Sequence, residues 1–225
     1  MLQEVVTVCG RFTLIKWEEM LAYFGIEAEG LKPRYNIAPA QDVPVIVAEA
    51  NRPVLKMFRW GLVPFWARDI SIAGRLINAR AETVSEKKSF SRSFRQRRCL
   101  VPADGYYEWK KSGKGEKQPY RFTLKTNEVF AMAGLWDVWQ DASGQKLYTF
   151  AIITTVANSL VSALHDRMPV ILPKGKEKFW LEAGEDELQA LQTLLVPYPA
   201  EKMTVAAASR LVNNPRHDSP LVLEP

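Results

Sequence analysis

From Val43 onward the chain is written in short apolar runs separated by turn residues, and this pattern limits the fold more than any other feature. Val43-Pro44-Val45-Ile46-Val47 and Val54 to Trp60 read as strands joined by a turn near Asn51. Cys99-Leu100-Val101-Pro102 and Tyr106 to Lys111 read as strands flanking an Ala103-Asp104-Gly105 turn. Further strands are predicted at Tyr120 to Leu124, Val129 to Val138, Leu147 to Thr155 and Met203 to Ala208. Such runs, bounded by Gly, Pro, Asn and Asp, are strand signals. Helical spacing is confined to a few places. Trp17, Met20, Leu21 and Phe24 recur at that spacing within Ile15 to Phe24, and Gly25 suits the stop. Glu82 to Phe94 is predicted as a helix with basic residues on one side, and Lys174 to Leu181 and Glu185 to Leu195 as amphipathic helices. Lys32 to Pro39 reads as an extended loop bounded by prolines, Gly61 to Ile77 as irregular and aromatic, and Ser112 to Gln118 as a mobile hairpin tip. Strands and helices do not alternate strictly, there are no repeats, and no shift in composition marks a linker. The expected class is α+β, in one domain spanning residues 1–225.

Composition removes several functions from consideration. At 225 residues and 47% hydrophobic, the chain can bury a sizeable core. No apolar run approaches the ~20 residues of a membrane span, and the N-terminus lacks a signal peptide's basic and apolar regions. A cytoplasmic protein, beside the nucleoid, is expected. Cys9 and Cys99 make no disulfide framework, and with only His165 and His217 beside them a structural zinc site is not expected. No metal or nucleotide cofactor is called for. The net charge of +5 permits polyanion binding without requiring it.

Four clusters and one cysteine carry candidate chemistry. If the chain began at Cys9, that residue would hold a free α-amine beside its thiol. The amine of such a 1,2-aminothiol condenses with an aldehyde, and the sulfur then closes a thiazolidine. The plain alternative is a small buried cysteine on a first strand. In Leu76 to Glu82, the polar residues Asn78, Arg80 and Glu82 fall at a strand end, where they fit a site or equally a cap and a solvated surface. In Ala103 to Trp109, period-two alternation puts Tyr106 and Glu108 on one face and Tyr107 and Trp109 on the other. A glutamate within an aromatic strand is a candidate for a raised pKa and proton transfer, or else a solvated carboxylate. His165, among charges in Leu164 to Pro169, can act as acid or base, though a lone histidine is more often structural. The last set is Trp60, Phe65 and Trp66 with Arg11, Arg80, Lys88, Arg92 and Arg167. Cations that track phosphates and aromatics that stack on bases are the needs of a single-strand groove.

Six motifs stand in order: Cys9-Gly10-Arg11-Phe12, Arg34-Tyr35-Asn36-Ile37-Ala38-Pro39, Trp60 to Trp66, Ile77 to Thr83, Cys99 to Trp109 and His165-Asp166-Arg167-Met168-Pro169. From Cys9 to about Arg210 the series closely resembles the SOS-response-associated peptidase (SRAP) family, whose members shield abasic sites in single-stranded DNA. The resemblance implies a strand-rich, barrel-like, mixed or antiparallel core with peripheral helices and a basic cleft. It implies that Cys9, once N-terminal, forms a thiazolidine with the ring-opened sugar of an abasic site. By the same resemblance Asn78 holds the cysteine, Glu108 shuttles protons, and His165 assists sugar opening and reversal of the crosslink. Arg11, Asn36, Arg80, Arg167 and Thr154 match DNA-holding positions, Trp66 a base-stacking one. Lys88 stands where an arginine is expected, keeping the charge without the bidentate fork. The implied partner is single-stranded DNA containing abasic sites, bound by a monomer without an obligate protein partner.

The chain departs from the family at its start. Family members begin Met-Cys-Gly-Arg, whereas here residues 1–8 precede Cys9. Either the Val8 codon is the true start, read as methionine, or the tail is a propeptide that the site removes; the first reading is favoured. The uncleaved form is expected to make no thiazolidine, and its tail to lie near the DNA cleft. Two other functions fit the residues: a thiol peptidase with Cys9 as nucleophile and His165 as base, and a non-catalytic single-strand binder that tolerates loss of Cys9.

Overall fold

The computed structural model describes residues 9–110 and 117–225. Cys9 and Gly10 lead into β1 (Phe12–Leu14), followed by α1 (Trp17–Phe24), which buries Met20 and Leu21. The helix stops at Gly25, whose φ of 62° returns its N–H to the last-turn carbonyls, a conformation glycine adopts without Cβ strain. The proline-bounded stretch expected as a loop pairs instead: β2 (Arg34–Ile37) lies antiparallel to β1. Next come β3 (Asp42–Glu49) and β4 (Arg52–Trp60), an antiparallel hairpin in register from Asp42↔Arg59 to Glu49↔Arg52. Its turn residues, Ala50 and Asn51, both have positive φ, the backbone that suits the twist of a two-residue hairpin.

After an irregular segment come β5 (Asn78–Arg80), α2 (Ser91–Gln96), β6 (Arg98–Ala103) and β7 (Gly105–Lys110). The helix expected over Glu82 to Phe94 is not formed. A 3-10 turn at Ala81–Thr83 gives way to further turns, and only Ser91–Gln96 is α-helical. Val84, Phe90 and Phe94 are the buried anchors here. Val84 and Phe90, six residues apart, would lie about 120° apart around one continuous helix, and the broken path lets both reach the core. The predicted tip at Ser112 to Gln118 lies, up to residue 116, outside the described residues, as does the 1–8 tail.

The remaining elements are β8 (Gln118–Leu124), β9 (Phe130–Gln140), β10 (Lys146–Val156), β11 (Arg167–Pro169), α3 (Glu177–Glu182), α4 (Leu188–Thr193) and β12 (Met203–Ala207). One sheet runs β12-β8-β7-β1-β2. The other runs β10-β4-β3-β6-β9, and β9 pairs back onto β10, closing a five-stranded barrel. The barrel is mixed, because β4 and β10 run parallel at Thr149↔Arg59 while its other pairs are antiparallel. Closure leaves no free edge on those strands. Trp60 stacks on Phe150 in the interior, centroids 6.2 Å apart, and Phe12 meets Trp60 edge-on at 5.2 Å. Each such fully buried ring contributes about 2–3 kcal/mol of apolar transfer. The class is α+β, as expected.

Two features of this architecture position the site. The second half of β10 acquires β5 in parallel and β11 antiparallel, with Thr154 opposite both Arg80 and Pro169. Beyond β12 the chain crosses back over β2 and β7, where Tyr107, Ala208, Val212 and Val222 form a small second core.

Candidate active site

Strand β7 runs beside the first described residues, with Tyr106 opposite Phe12 and the Tyr107 N–H donated to Arg11 O at 2.9 Å. Alternation along β7 does the rest. Tyr107 and Trp109 face the C-terminal crossing, where the Tyr107 hydroxyl donates to Tyr35 O and the Trp109 indole N–H to Asn213 Oδ1. Tyr106 and Glu108 face the interior, and Glu108 Oε1 accepts the Cys9 backbone N–H at 2.6 Å. Cys9, Tyr106 and Glu108 are all buried, Glu108 to 1% exposure. Burial pushes the Glu108 carboxyl up to about 8, against a smaller downward pull from the Cys9 N–H. Burial first, then the Glu108 charge, holds the Cys9 thiol well above its ordinary value. The φ of 41° at Cys9 lies in the left-handed region, an uncommon conformation for a side-chain-bearing residue, and turns its nitrogen toward Glu108.

A second group gathers at the far end of β10. Its pairings align Ile152 with Asn78, Thr154 with Arg80, and Val156 with Arg167. His165 is buried in the turn before β11. Its Nδ1 accepts the Arg167 N–H at 3.1 Å and lies 2.9 Å from the exposed Asp166 carboxylate. One nitrogen cannot serve both contacts at once. Accepting from Arg167 leaves Nδ1 without a proton, whereas donating to Asp166 requires a proton on Nδ1. The negative charge of Asp166 also raises the Glu108 carboxyl, so this turn lies within electrostatic range of the Cys9 chamber. Asn78, half-buried, opens β5 opposite Ile152 of β10.

The predicted DNA-holding residues divide into four kinds. Arg80 is exposed at the end of β5. Arg167 is engaged: its guanidinium forks onto Glu82, at 2.6 and 2.9 Å, and donates to Thr154 O at 2.6 Å, holding the Glu82 carboxyl below its usual range. Arg11 is half-buried, donating to Asn36 Oδ1 and Val212 O. Asn36 and Thr154 face inward. The Asn36 amide donates to the carbonyls of Val212, Asn214 and His217, so it ties Arg11 to the C-terminal crossing.

Trp66 and Phe65 stand apart on a ledge formed by the loop after β4, and each is more than a third exposed. Lys88 Nζ lies 4.9 Å from the Trp66 ring centroid, and the Arg92 guanidinium 4.3 Å from that of Phe65. The loop beneath is pinned. Gly61 N–H donates to Phe150 O, Val63 N–H to Thr149 Oγ1, and Phe65 N–H to Asp137 Oδ2, whose partner is Arg97. Gly61 has φ 121°, and a Cβ there would meet Ala73 O at 2.9 Å, so glycine is required.

Three contributors escaped the sequence reading. Asp166 and the lock of Glu82 on Arg167 depend on tertiary neighbours. So does Asp104, which is buried, accepts from Thr13 Oγ1, Ile15 N–H and Lys16 N–H, and pairs with Arg121, anchoring the strand that follows Cys9. Among the described residues no cluster of His, Cys, Asp and Glu is arranged to hold a metal, and no helix is long and apolar enough to cross a membrane.

The family model of SOS response associated peptidases (SRAP) matches residues 8–215. The chain is 44% identical over 222 residues to a protein of Bacillus subtilis named abasic site processing protein YoqW, covering 96% of this chain and 99% of that one. It is 31% identical to the abasic site processing protein HMCES of Rattus norvegicus, over 96% of this chain and 69% of that one. A crystal structure of a protein from Bacteroides thetaiotaomicron superposes with a TM-score of 0.85 at 31% identity, over 96% of this chain and 99% of that chain.

Proposed function

Because the chain belongs to the SOS response associated peptidase family, we propose that it processes abasic sites in single-stranded DNA by forming a covalent crosslink through Cys9. The observation that carries this reading is the Cys9 nitrogen 2.6 Å from a buried carboxyl. Once the residues before Cys9 are removed, that nitrogen is the α-amine of an aminothiol, already hydrogen-bonded to its base.

The chemistry then follows from the groups present. His165 moves the proton that opens the sugar hemiacetal to the aldehyde. Glu108 accepts a proton from the Cys9 ammonium, and the amine adds to the aldehyde carbon to give a carbinolamine. The carbinolamine oxygen leaves as water, with its second proton returned from Glu108, giving a protonated imine. Cys9 Sγ adds to the imine carbon while the thiol proton passes to the nitrogen, and a thiazolidine closes with one water as the by-product. A carboxyl poised near neutrality can both take and return a proton at ordinary pH, which suits both of its steps. Asn78 holds the reacting cysteine, Arg11, Arg80 and Arg167 meet phosphates, and Trp66 with Phe65 stacks on bases beside the lesion. Arg167 would exchange Glu82 for a phosphate as the strand binds. Glu108 and Cys9 also serve removal of the leading residues, which exposes the amine.

An abasic oligonucleotide, a denaturing gel and intact-mass measurement test this directly. A heat-stable band from protein lacking residues 1–8 is the expected result. A protein retaining Met1 that still crosslinks through its N-terminus overturns the aminothiol mechanism.

A further inference from the structure

Tyr106 is a buried polar group that the mechanism above leaves idle. Its ring lies parallel to Phe122 at 5.1 Å, opposite Phe12 on one side and Phe122 on the other. It is 0% exposed, and its hydroxyl has no hydrogen-bond partner among the described residues. A buried phenol ordinarily finds a partner, because an unmade hydrogen bond costs the full desolvation of the group. Phenylalanine would fill the same stacked slot without that cost. The hydroxyl sits two residues from Glu108 on the same face of β7, and the charges of both Cys9 and Glu108 reach it. The Cys9 N–H goes to Glu108, and the hydroxyl is bonded to neither group. Burial and those neighbouring charges keep the phenol protonated, so it enters the chamber as a donor.

We propose that Tyr106 is a further catalytic residue: its hydroxyl donates a hydrogen bond to the oxygen on the sugar carbon attacked by Cys9. The bond forms to the aldehyde oxygen and strengthens as that oxygen gains charge during amine addition. It persists while Glu108 supplies the proton that turns the carbinolamine hydroxyl into leaving water. Tyr106 keeps its own proton throughout, so the balance of the reaction is unchanged. This role rests on the crosslinking reading, and the hydroxyl is satisfied only when an aldehyde occupies the chamber.

The test is Tyr106→Phe in the processed protein, which begins at Cys9, with three readouts. Single-turnover crosslinking to an abasic oligonucleotide should slow about tenfold, the worth of one ordinary hydrogen bond. Affinity for the same oligonucleotide carrying a tetrahydrofuran analogue, which has no aldehyde, should stay unchanged. The Tm should rise by about 2–4 °C, because an unsatisfied hydroxyl is removed from the core. A variant that crosslinks at the wild-type rate overturns the proposal, as does a slower one whose Tm and analogue affinity both fall, the mark of a packing role. If the processed wild-type protein itself gives no heat-stable product, the crosslinking reading fails and takes this proposal with it.

Discussion

The Cys9 chamber and the Trp66 ledge are built from the same residue types, aromatics and charges, yet by opposite rules. In the chamber, charge is removed from water: Glu108 is 1% exposed and its carboxyl is pushed up to about 8. On the ledge, charge stays in water: Lys88 and Arg92 lie over the partly exposed rings of Trp66 and Phe65. Burial tunes proton transfer, whereas exposure preserves counterion release and stacking. On the proposed function, reaction rate belongs to one region and affinity to the other, and substitutions should separate them.

The largest separation is expected from Cys9→Ala, which should abolish the heat-stable product on a denaturing gel. Single-strand affinity, followed by fluorescence anisotropy, should be retained. Loss of both would mean that the chamber and the binding surface are one. Glu108→Gln comes next, with crosslinking slowed about a hundredfold or more. It also carries a stability signature. The folded carboxyl keeps its proton up to about pH 8, while an unfolded glutamate loses it near 4.5. The favourable contribution of Glu108 is thus complete below about pH 4.5 and disappears as pH rises toward 8. In the unprocessed chain, Glu108→Gln should therefore gain on the wild type by a few kcal/mol at pH 9 in urea melts. Exposing the Cys9 amine places a cation beside the carboxyl and should flatten this dependence, a second way to detect processing.

Effects at the ledge and at exposed Arg80 should be smaller and confined to binding. Trp66→Ala removes one stacking platform, worth about 1–3 kcal/mol per base. Arg80→Ala should weaken binding several-fold and lower the salt slope by about 0.7, the value for one phosphate on a single strand. Crosslinking at saturating DNA should match the wild type in both variants; a slower rate there would blur the division. Cys99→Ser should change function least. This thiol is packed between β6 and β9, where a Cβ on Gly134 would come within 2.7 Å of its sulfur. Crosslinking should persist, with about 1–2 kcal/mol lost in chemical denaturation from a poorly satisfied buried hydroxyl.

The same division governs what the sequence could reveal. The β3–β4 hairpin was readable because its pairing is local, and α1 because its apolar spacing and its glycine stop agree. The faces of Tyr106 and Glu108 followed from alternation alone. Closure of the barrel was not readable from local patterning, since the parallel contact of Arg59 with Thr149 joins segments whose connection passes through five further strands, β5 to β9, and an irregular loop. The false helix over Glu82 to Phe94 came from reading basic residues as a face while the buried anchors Val84 and Phe90 set the path. The family motifs named Cys9, Asn78, Glu108 and His165. They said nothing of the Glu82 fork on Arg167 or of the inward turn of Asn36, which depend on neighbours far along the chain.

The crossing of residues 209–223 over β2 and β7 has a consequence in time. Arg11 is held by Val212 O, 201 residues later, and Asn36 by the carbonyls of Val212, Asn214 and His217. A nascent chain leaves the ribosome with its most reactive residue first, and at about 5–20 residues per second the partners that finish its surroundings emerge some 10–40 s later. Throughout that interval Arg11 lacks the crossing that fixes it. Arg11 thus acquires its full set of partners only when synthesis is nearly done, and a chain ended before Val212 leaves the surroundings of Cys9 unfinished.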